Sequence, residues 1–253
     1  ESQIHGLKWG FLHNMDTTAL GINKQGFINL DNVWKDRPDQ SSFLLQWKPT
    51  ALWWSEDGLF GLTTGPFFTR QDSAVLATGY FFTIWQRTHT AAPFKFVVDA
   101  GVQMKPGVAP SAFVSTPVAK ERIAKAKAAG KAPTVVLLAS TAPAEAFYKK
   151  ASKESLGQAM INYTHEQSFV LVSDLGKLAP TELGTVPAFD RKHSFQRTGH
   201  KNLTVACYYE WGQLRSSDGG PEYSGYYVHV WQAHGQKPVL LAAVYQFDQS
   251  LNP

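Results

Sequence analysis

Apolar positions recur at two spacings along the chain, and each spacing predicts a different element. Every second residue is apolar in one stretch near the C-terminus, as on one face of a β-strand: Leu203, Val205, Cys207, Tyr209 and Trp211. Near the N-terminus apolar residues are four positions apart, which predicts a helix with one buried stripe: Leu7, Phe11 and Met15. A second helical stretch is predicted over 144–163, and strands follow both helical stretches.

One strand pattern occurs twice. The octapeptide GYFFTIWQ at Gly79–Gln86 returns 146 positions later as GYYVHVWQ at Gly225–Gln232. Two more stretches recur at offsets of 144 and 145, Leu59–Phe67 as Leu203–Trp211 and Pro93–Val98 as Pro238–Ala243. Because the offset is nearly constant over three strands, the sequence predicts one domain built twice, with its strands in the same order.

The length of 253 residues suits two domains of about 100–130 residues, each with its own core. We predict a first repeat at 1–104, a linker rich in Pro, Ala and Lys at 105–143, and a second repeat at 144–253. The N-terminal helix of the first repeat is shorter than its counterpart by about a dozen residues, so we expect it to be truncated.

The recurring strands are apolar on both faces. This holds for Tyr80–Trp85 and for Tyr226–Trp231, whereas an antiparallel sheet with one face in water alternates polar and apolar residues. We therefore expect each sheet to be covered on both sides, by helices on one face and by the sheet of the other repeat on the second.

Composition narrows the classes of function. Aromatic residues make up 13% of the chain, which is typical of filled cores or apolar pockets. The net charge of +4 is concentrated in residues 120–131. The sequence shows no basic face spread over a domain, so we do not predict nucleic-acid binding. No apolar run reaches the ~20 residues that span a membrane. We expect a soluble protein. The sequence does not assign a cellular compartment, and export followed by removal of a signal peptide is one expectation.

Motifs of established chemistry are not found in the sequence. Cys207 is the single cysteine, so an intrachain disulfide or a thiolate zinc cluster is excluded, and we interpret it as a packing residue. The sequence has no phosphate loop, dinucleotide fingerprint or nucleophile elbow, and its eight histidines lack metal-ligand spacing. We predict neither a metal site nor a cofactor.

Four stretches resemble a known superfamily. Gly58–Phe67, Gly79–Trp85, Phe94–Gly101 and Gly26–Pro38 are similar to the nuclear transport factor 2-like proteins, in particular to a bacterial branch of unknown function near the SnoaL-like polyketide cyclases. The resemblance implies an α+β, cystatin-like cone, in which a strongly curved antiparallel sheet wraps around helices and leaves a pocket. It also implies that the two repeats pair through the backs of their sheets, as an intrachain pseudo-dimer. Whether several chains assemble into a higher oligomer is left open by the sequence.

The same superfamily contains ketosteroid isomerase, scytalone dehydratase, limonene epoxide hydrolase and members without catalysis, so the fold does not choose the function. Two hypotheses stay open. The chain binds a small apolar ligand in a cone pocket without catalysis, or it is a cofactor-free acid–base enzyme of the isomerase, cyclase or hydrolase type acting on a small hydrophobic substrate.

Strand parity selects candidate pocket residues in both repeats. His229 shares a face with Tyr227 and Trp231, so its imidazole is a general base or a ligand partner if the tryptophans face the cone interior. The alternative is a structural histidine bonded within the sheet. Thr83 and Trp85 occupy the equivalent positions of the first repeat, where Thr83 offers a polar group.

Three more candidates lie in the first repeat. Asp99 resembles a recurrent acidic position of the superfamily, but it shares parity with Lys95 and should point away from the apolar face unless a bulge intervenes. His13 and Asp16 share one helix side with Trp9 and face the pocket if the helix does. The alternative interpretation of the latter pair is a polar helix end.

Overall fold

The computed structural model describes residues 6–38, 43–55, 57–105, 142–166, 168–204, 207–234, 237–248 and 251. These residues fall into two compact units. The first contains 6–23 and 27–105, and the second contains 24–26 and the residues from 142 onwards. The predicted linker lies mostly outside the described residues, so the predicted boundaries at 104 and 143 stay predictions.

The first unit is a mixed sheet with two short helices. Its elements are α1 Leu7–Asn14, β1 Met15–Asn23, β2 Gly26–Asn29, α2 Leu30–Asp36, β3 Phe43–Trp47, β4 Ala51–Trp54, β5 Phe60–Gln71, β6 Ala74–Gln86 and β7 Lys95–Gln103. The strand order is β2-β1-β7-β6-β5-β3, and β4 also pairs with β5. Strands β7, β6, β5 and β3 are antiparallel neighbours, whereas β1 pairs with β7 in parallel.

The second unit repeats this arrangement. Its elements are α3 Ala142–Lys153, α4 Leu156–Tyr163, β8 Phe169–Val172, β9 Gly176–Leu178, a 3₁₀ helix Pro180–Thr185, β10 His193–Thr204, β11 Cys207–Ser216, β12 Ser224–His234 and β13 Lys237–Phe247. The order β9-β8-β13-β12-β11-β10 matches that of the first unit, again with one parallel pair, β8 with β13. The helix predicted over 144–163 is two helices, because Ser155 caps the second by accepting a hydrogen bond from Gln158 N at 3.2 Å.

The shared strand order confirms the predicted α+β fold class with two cone-like domains. Two details of the prediction are corrected. The sheets are mixed rather than wholly antiparallel, because the first strand of each unit joins the last in parallel. Also, Thr63 of β5 pairs with Thr83, and Glu210 of β11 pairs with His229, so Thr63 and Glu210 are equivalent positions. The offset between β5 and β11 is therefore 147 residues and not the predicted 144.

The two units differ in how their interiors are filled. In the second unit α3 and α4 contribute Ala144, Phe147, Leu156 and Met160 to a large buried cluster with strand residues such as Trp231. The cluster around α1 and α2 in the first unit is smaller and contains Met15, Ala19, Leu30, Trp34 and Phe96. The predicted pairing of the two sheets back to back stays a prediction. Cys207 is buried, as its interpretation as a packing residue expects.

Candidate functional site

A cavity of about 440 Å³ lies in the first unit, between α1 and the strands β3, β5, β6 and β7. Most of its wall is apolar. The lining residues that carry polar side-chain atoms are Asn14, Thr83 and Asp99, together with Trp47 and Trp85 through their indole N–H groups. The described lining residues are Gly10, Phe11, Asn14, Leu45, Trp47, Phe67, Phe81, Thr83, Trp85, Phe96, Asp99, Ala100 and Gly101. The volume is within the range of small-molecule sites.

A β-bulge turns Asp99 into this cavity. Ile84 pairs with Val98, but the next residue, Trp85, pairs with Phe96, so Val97 is left over on β7. The extra residue reverses the alternation, and Phe96 and Asp99 therefore face the same side. Simple alternation predicts that Asp99 points away from the apolar face, and that expectation is wrong because of the bulge.

The Asp99 carboxyl is held by one hydrogen bond and is largely removed from water. Thr83 Oγ1 donates to Asp99 Oδ1 at 2.7 Å, across the β6–β7 pair. Burial raises the pKa of Asp99 to about 6, although the Thr83 hydrogen bond lowers it in part. None of the ion pairs among the described residues involves Asp99. At neutral pH the cavity wall therefore carries an anion that has no cationic partner in the described part of the chain.

This pKa predicts that Asp99 destabilises the protein near neutral pH. Between about pH 4 and pH 6 the unfolded chain has released the proton that the folded protein keeps, so stability is lost as the pH rises. We expect Asp99→Asn to raise the free energy of unfolding by about 1–3 kcal/mol at pH 7.5, and the gain to vanish near pH 4. Urea denaturation across this pH range measures it. Asp72→Asn, the same change at an exposed turn, should show no such trend; a gain that does not depend on pH would contradict the assignment.

The other predicted residues of the first repeat are placed as follows. Thr83 and Trp85 line the cavity, and Trp85 Nε1 donates to Thr63 Oγ1 at 2.9 Å. His13 is exposed and its ring stacks on Trp9 at 4.4 Å. Asp16 lies on β1, because α1 ends at Asn14, so the expectation that it shares a helix side with His13 is wrong. It accepts a hydrogen bond from the Thr18 backbone N–H at 2.8 Å. Neither His13 nor Asp16 is among the described lining residues.

In the second unit the equivalent positions form a closed polar network. His229 and Glu210 are both fully buried, and His229 Nδ1 lies 3.8 Å from Glu210 Oε1, beyond hydrogen-bond distance. His229 Nε2 is 2.8 Å from the Tyr245 hydroxyl. Glu210 Oε1 accepts hydrogen bonds from Tyr148 at 2.6 Å and from Trp231 Nε1 at 2.7 Å.

The ionisation of this network follows from its contacts. Burial alone would raise the pKa of Glu210, but His229 and the hydrogen bonds from Tyr148 and Trp231 lower it below its ordinary value. Burial lowers the pKa of His229, against the effect of Glu210. Arg197, which is partly exposed, lies 3.4 Å from Glu210 and joins the network to the surface. Glu210 is therefore a carboxylate at neutral pH.

Rings from α3 fill the space beside this network. Phe147 is fully buried, with its ring 5.3 Å from that of His229 and 5.5 Å from that of Trp231. The hydroxyl of Tyr227, another predicted pocket residue, lies 2.8 Å from that of Tyr148. The second unit thus places side chains where the first unit has a cavity, so His229, Tyr227 and Trp231 meet protein groups there.

Sequence reasoning missed three residues of these sites. Alternation places Glu210 on the less apolar face of its strand, which favours an exposed or interface carboxylate, but Glu210 is fully buried. Its position matches that of Thr63, which accepts the hydrogen bond of Trp85 as Glu210 accepts that of Trp231. Phe11 and Asn14 of α1 also line the cavity. The signal available for Phe11 was its place in the apolar helical stripe, which identified a core-facing side but no pocket.

No family model matches the sequence, and no curated protein matches it either. Solved structures do. An NTF-2 like protein of unknown function from Shewanella oneidensis MR-1 is 9% identical, with 42% of this chain and 93% of that chain covered and a TM-score of 0.35. A ketosteroid isomerase-like protein from Erwinia carotovora atroseptica SCRI1043 is 8% identical, with 43% and 93% covered and a TM-score of 0.36.

A second NTF-2 like protein of unknown function, from Pseudomonas aeruginosa, is 13% identical, with 41% and 94% covered and a TM-score of 0.33. The two sheets share one strand order, as the predicted duplication requires. At such identities and TM-scores the similarity says nothing of what this chain binds or does.

No group of three or more His, Cys, Asp or Glu residues in the described ranges is arranged to hold a metal ion. Among the helices that the structure describes, none has the length and apolar character needed to cross a membrane.

Proposed function

We propose that the first unit binds a small, largely apolar molecule in its cavity, with its polar end at Asp99. The observation that carries this proposal is a partly buried carboxyl on the wall of an apolar cavity of about 440 Å³. A cavity of this size with few polar groups is the usual form of a small-molecule site. A desolvated carboxylate without a cationic partner costs stability, and such groups are typical of functional sites.

Filling the cavity tests this proposal. Gly101 lines the cavity, and a Cβ at this position would meet Phe67 at 3.3 Å. The second unit has Tyr245 at the equivalent position, since Phe81 pairs with Gly101 as Tyr227 pairs with Tyr245. The repeat therefore tolerates a large side chain there. We expect Gly101→Leu to weaken binding of the neutral fluorescent probe N-phenyl-1-naphthylamine by at least about tenfold, because leucine occupies the space of the probe.

The control is Gly184→Leu, where a Cβ meets no atom within 4 Å. It should bind the probe as the unaltered chain does, with one saturable site in a fluorescence titration. Absence of saturable binding, or equal binding by Gly101→Leu, would count against the proposal.

A second candidate function is acid–base catalysis with Asp99 as general base. The observation that favours it is the pKa of about 6, because a base is most effective when its pKa lies near the working pH. Proton abstraction from 5-nitrobenzisoxazole reports an accessible carboxylate base in an apolar pocket. Turnover that rises through pH 6 and is lost in Asp99→Asn would support catalysis, and binding of N-phenyl-1-naphthylamine without such turnover would leave the binding function alone.

A further inference from the structure

We infer that the molecule bound in the first unit is an organic cation, with a protonated or quaternary amine on an apolar body. This inference rests on the proposed function and specifies its ligand. Two independent features of the cavity carry it: the charge of its wall and the arrangement of its aromatic rings.

Among the described lining residues, Asp99 alone carries a charge. The described lining residues contain no Lys, Arg or His, and their other polar side chains are neutral. Lys95, on the same strand as Asp99, donates its ammonium to the backbone carbonyl of His13 instead. Thr83 occupies Oδ1 of Asp99, and no described protein donor is hydrogen-bonded to Oδ2. A cation in the cavity would supply the missing partner and offset the cost of the desolvated carboxylate.

Aromatic rings form much of the remaining wall. Six lining residues carry them: Phe11, Trp47, Phe67, Phe81, Trp85 and Phe96. Neighbouring rings meet at steep angles, with 59° between Phe11 and Trp47, 81° between Phe11 and Phe96, and 84° between Trp85 and Phe96. Aromatic rings in several orientations thus line the cavity. The face of an aromatic ring attracts an ammonium group through cation–π interaction.

The alternatives make different demands on Asp99. An anionic ligand would be repelled by the carboxylate, and no described lining side chain offers a positive charge to offset this. A neutral ligand with a hydrogen-bond acceptor would need the protonated acid, so its affinity would fall as the pH rises through 6. An organic cation needs the carboxylate, so its affinity rises over the same range.

The test compares phenyltrimethylammonium with tert-butylbenzene, which has nearly the same shape and no charge. Both are titrated against bound N-phenyl-1-naphthylamine at pH 7.5. We expect the cation to bind at least about tenfold more tightly than its isostere, and Asp99→Asn to weaken the cation by at least about tenfold while changing the isostere less than about twofold. The affinity of the cation should also fall between pH 7.5 and pH 5.

The surface control is Asp72→Asn, which removes the same charge from an exposed turn and should leave both affinities unchanged. Equal binding of the two compounds, or equal losses for both in Asp99→Asn, would overturn the cationic ligand while leaving the proposed function in place. Failure of N-phenyl-1-naphthylamine itself to bind would overturn both.

Discussion

Replacing Glu210 by alanine is expected to lower the free energy of unfolding by about 3–5 kcal/mol. The substitution leaves the Trp231 indole N–H and the Tyr148 hydroxyl without their acceptor, and it removes the carboxylate that lies 3.4 Å from the Arg197 guanidinium. Trp231 is fully buried, and so is the carboxylate that accepts its hydrogen bond, so water cannot replace the lost acceptor. Urea denaturation of the full chain, with hydrogen exchange of the β12 amides as the local readout, measures the loss.

The first unit offers a matched control. Thr63 holds the equivalent position and accepts one hydrogen bond, from Trp85. Thr63→Val keeps the shape of the side chain and should cost only about 1 kcal/mol, the worth of one neutral hydrogen bond. Losses of similar size at the two positions would show that Glu210 is not the centre of the network described here.

Phe147→Ala is expected to cost about 3–5 kcal/mol as well, because a fully buried ring is removed and a cavity is left. The ring contacts those of His229, Trp231 and Phe195, which are held by the sheet and cannot close over the space. The fall in the unfolding midpoint in urea measures the cost.

Ile161→Ala, on the neighbouring helix α4, serves as its control because Ile161 is 50% exposed. It should change the free energy of unfolding by less than about 0.5–1 kcal/mol. If Phe147→Ala lowered the free energy of unfolding as little as Ile161→Ala, the interior of the second unit would not depend on packing against α3. The explanation given for the filled interior of that unit would then be wrong.

The sequence predicts the duplication well because backbone pairing leaves a pattern in the side chains. Gly79–Gln86 and Gly225–Gln232 lie on the central strands β6 and β12, where most residues are buried or half-buried. Strand order follows from the recurrence. Parallel pairing of the first and last strands leaves no comparable local pattern, because it joins residues more than 70 positions apart, such as Ile22 and Ala100.

The site is less predictable, and Asp99 shows why. Its direction depends on a bulge at Val97, within the run Phe96-Val97-Val98, where any of the three apolar residues would suit either face. The second unit carries the same feature at Leu241, since Val230 pairs with Ala242 and Trp231 with Leu240. The sequence repeat already matches His229 with Thr83, but only the backbone register reveals that Ala243 is the counterpart of Asp99.

The roles of His229 and Glu210 depend on contacts from elsewhere in the chain. Parity predicts that His229 lies among aromatic rings, and it does. What the pattern cannot supply is the ring of Phe147, brought by a helix some 80 residues earlier in the chain, which occupies the space beside the imidazole. The difference between an open cavity and a filled interior therefore arises from helix packing, which strand patterns do not encode.

A ¹³C NMR titration of the Asp99 carboxyl, with and without N-phenyl-1-naphthylamine, tests most directly whether the first unit holds a ligand cavity with a desolvated acid. We predict a midpoint near pH 6 in the free protein and a displaced midpoint when the probe fills the cavity. A midpoint near about 4, the ordinary value for aspartate, that the probe leaves unchanged would contradict this.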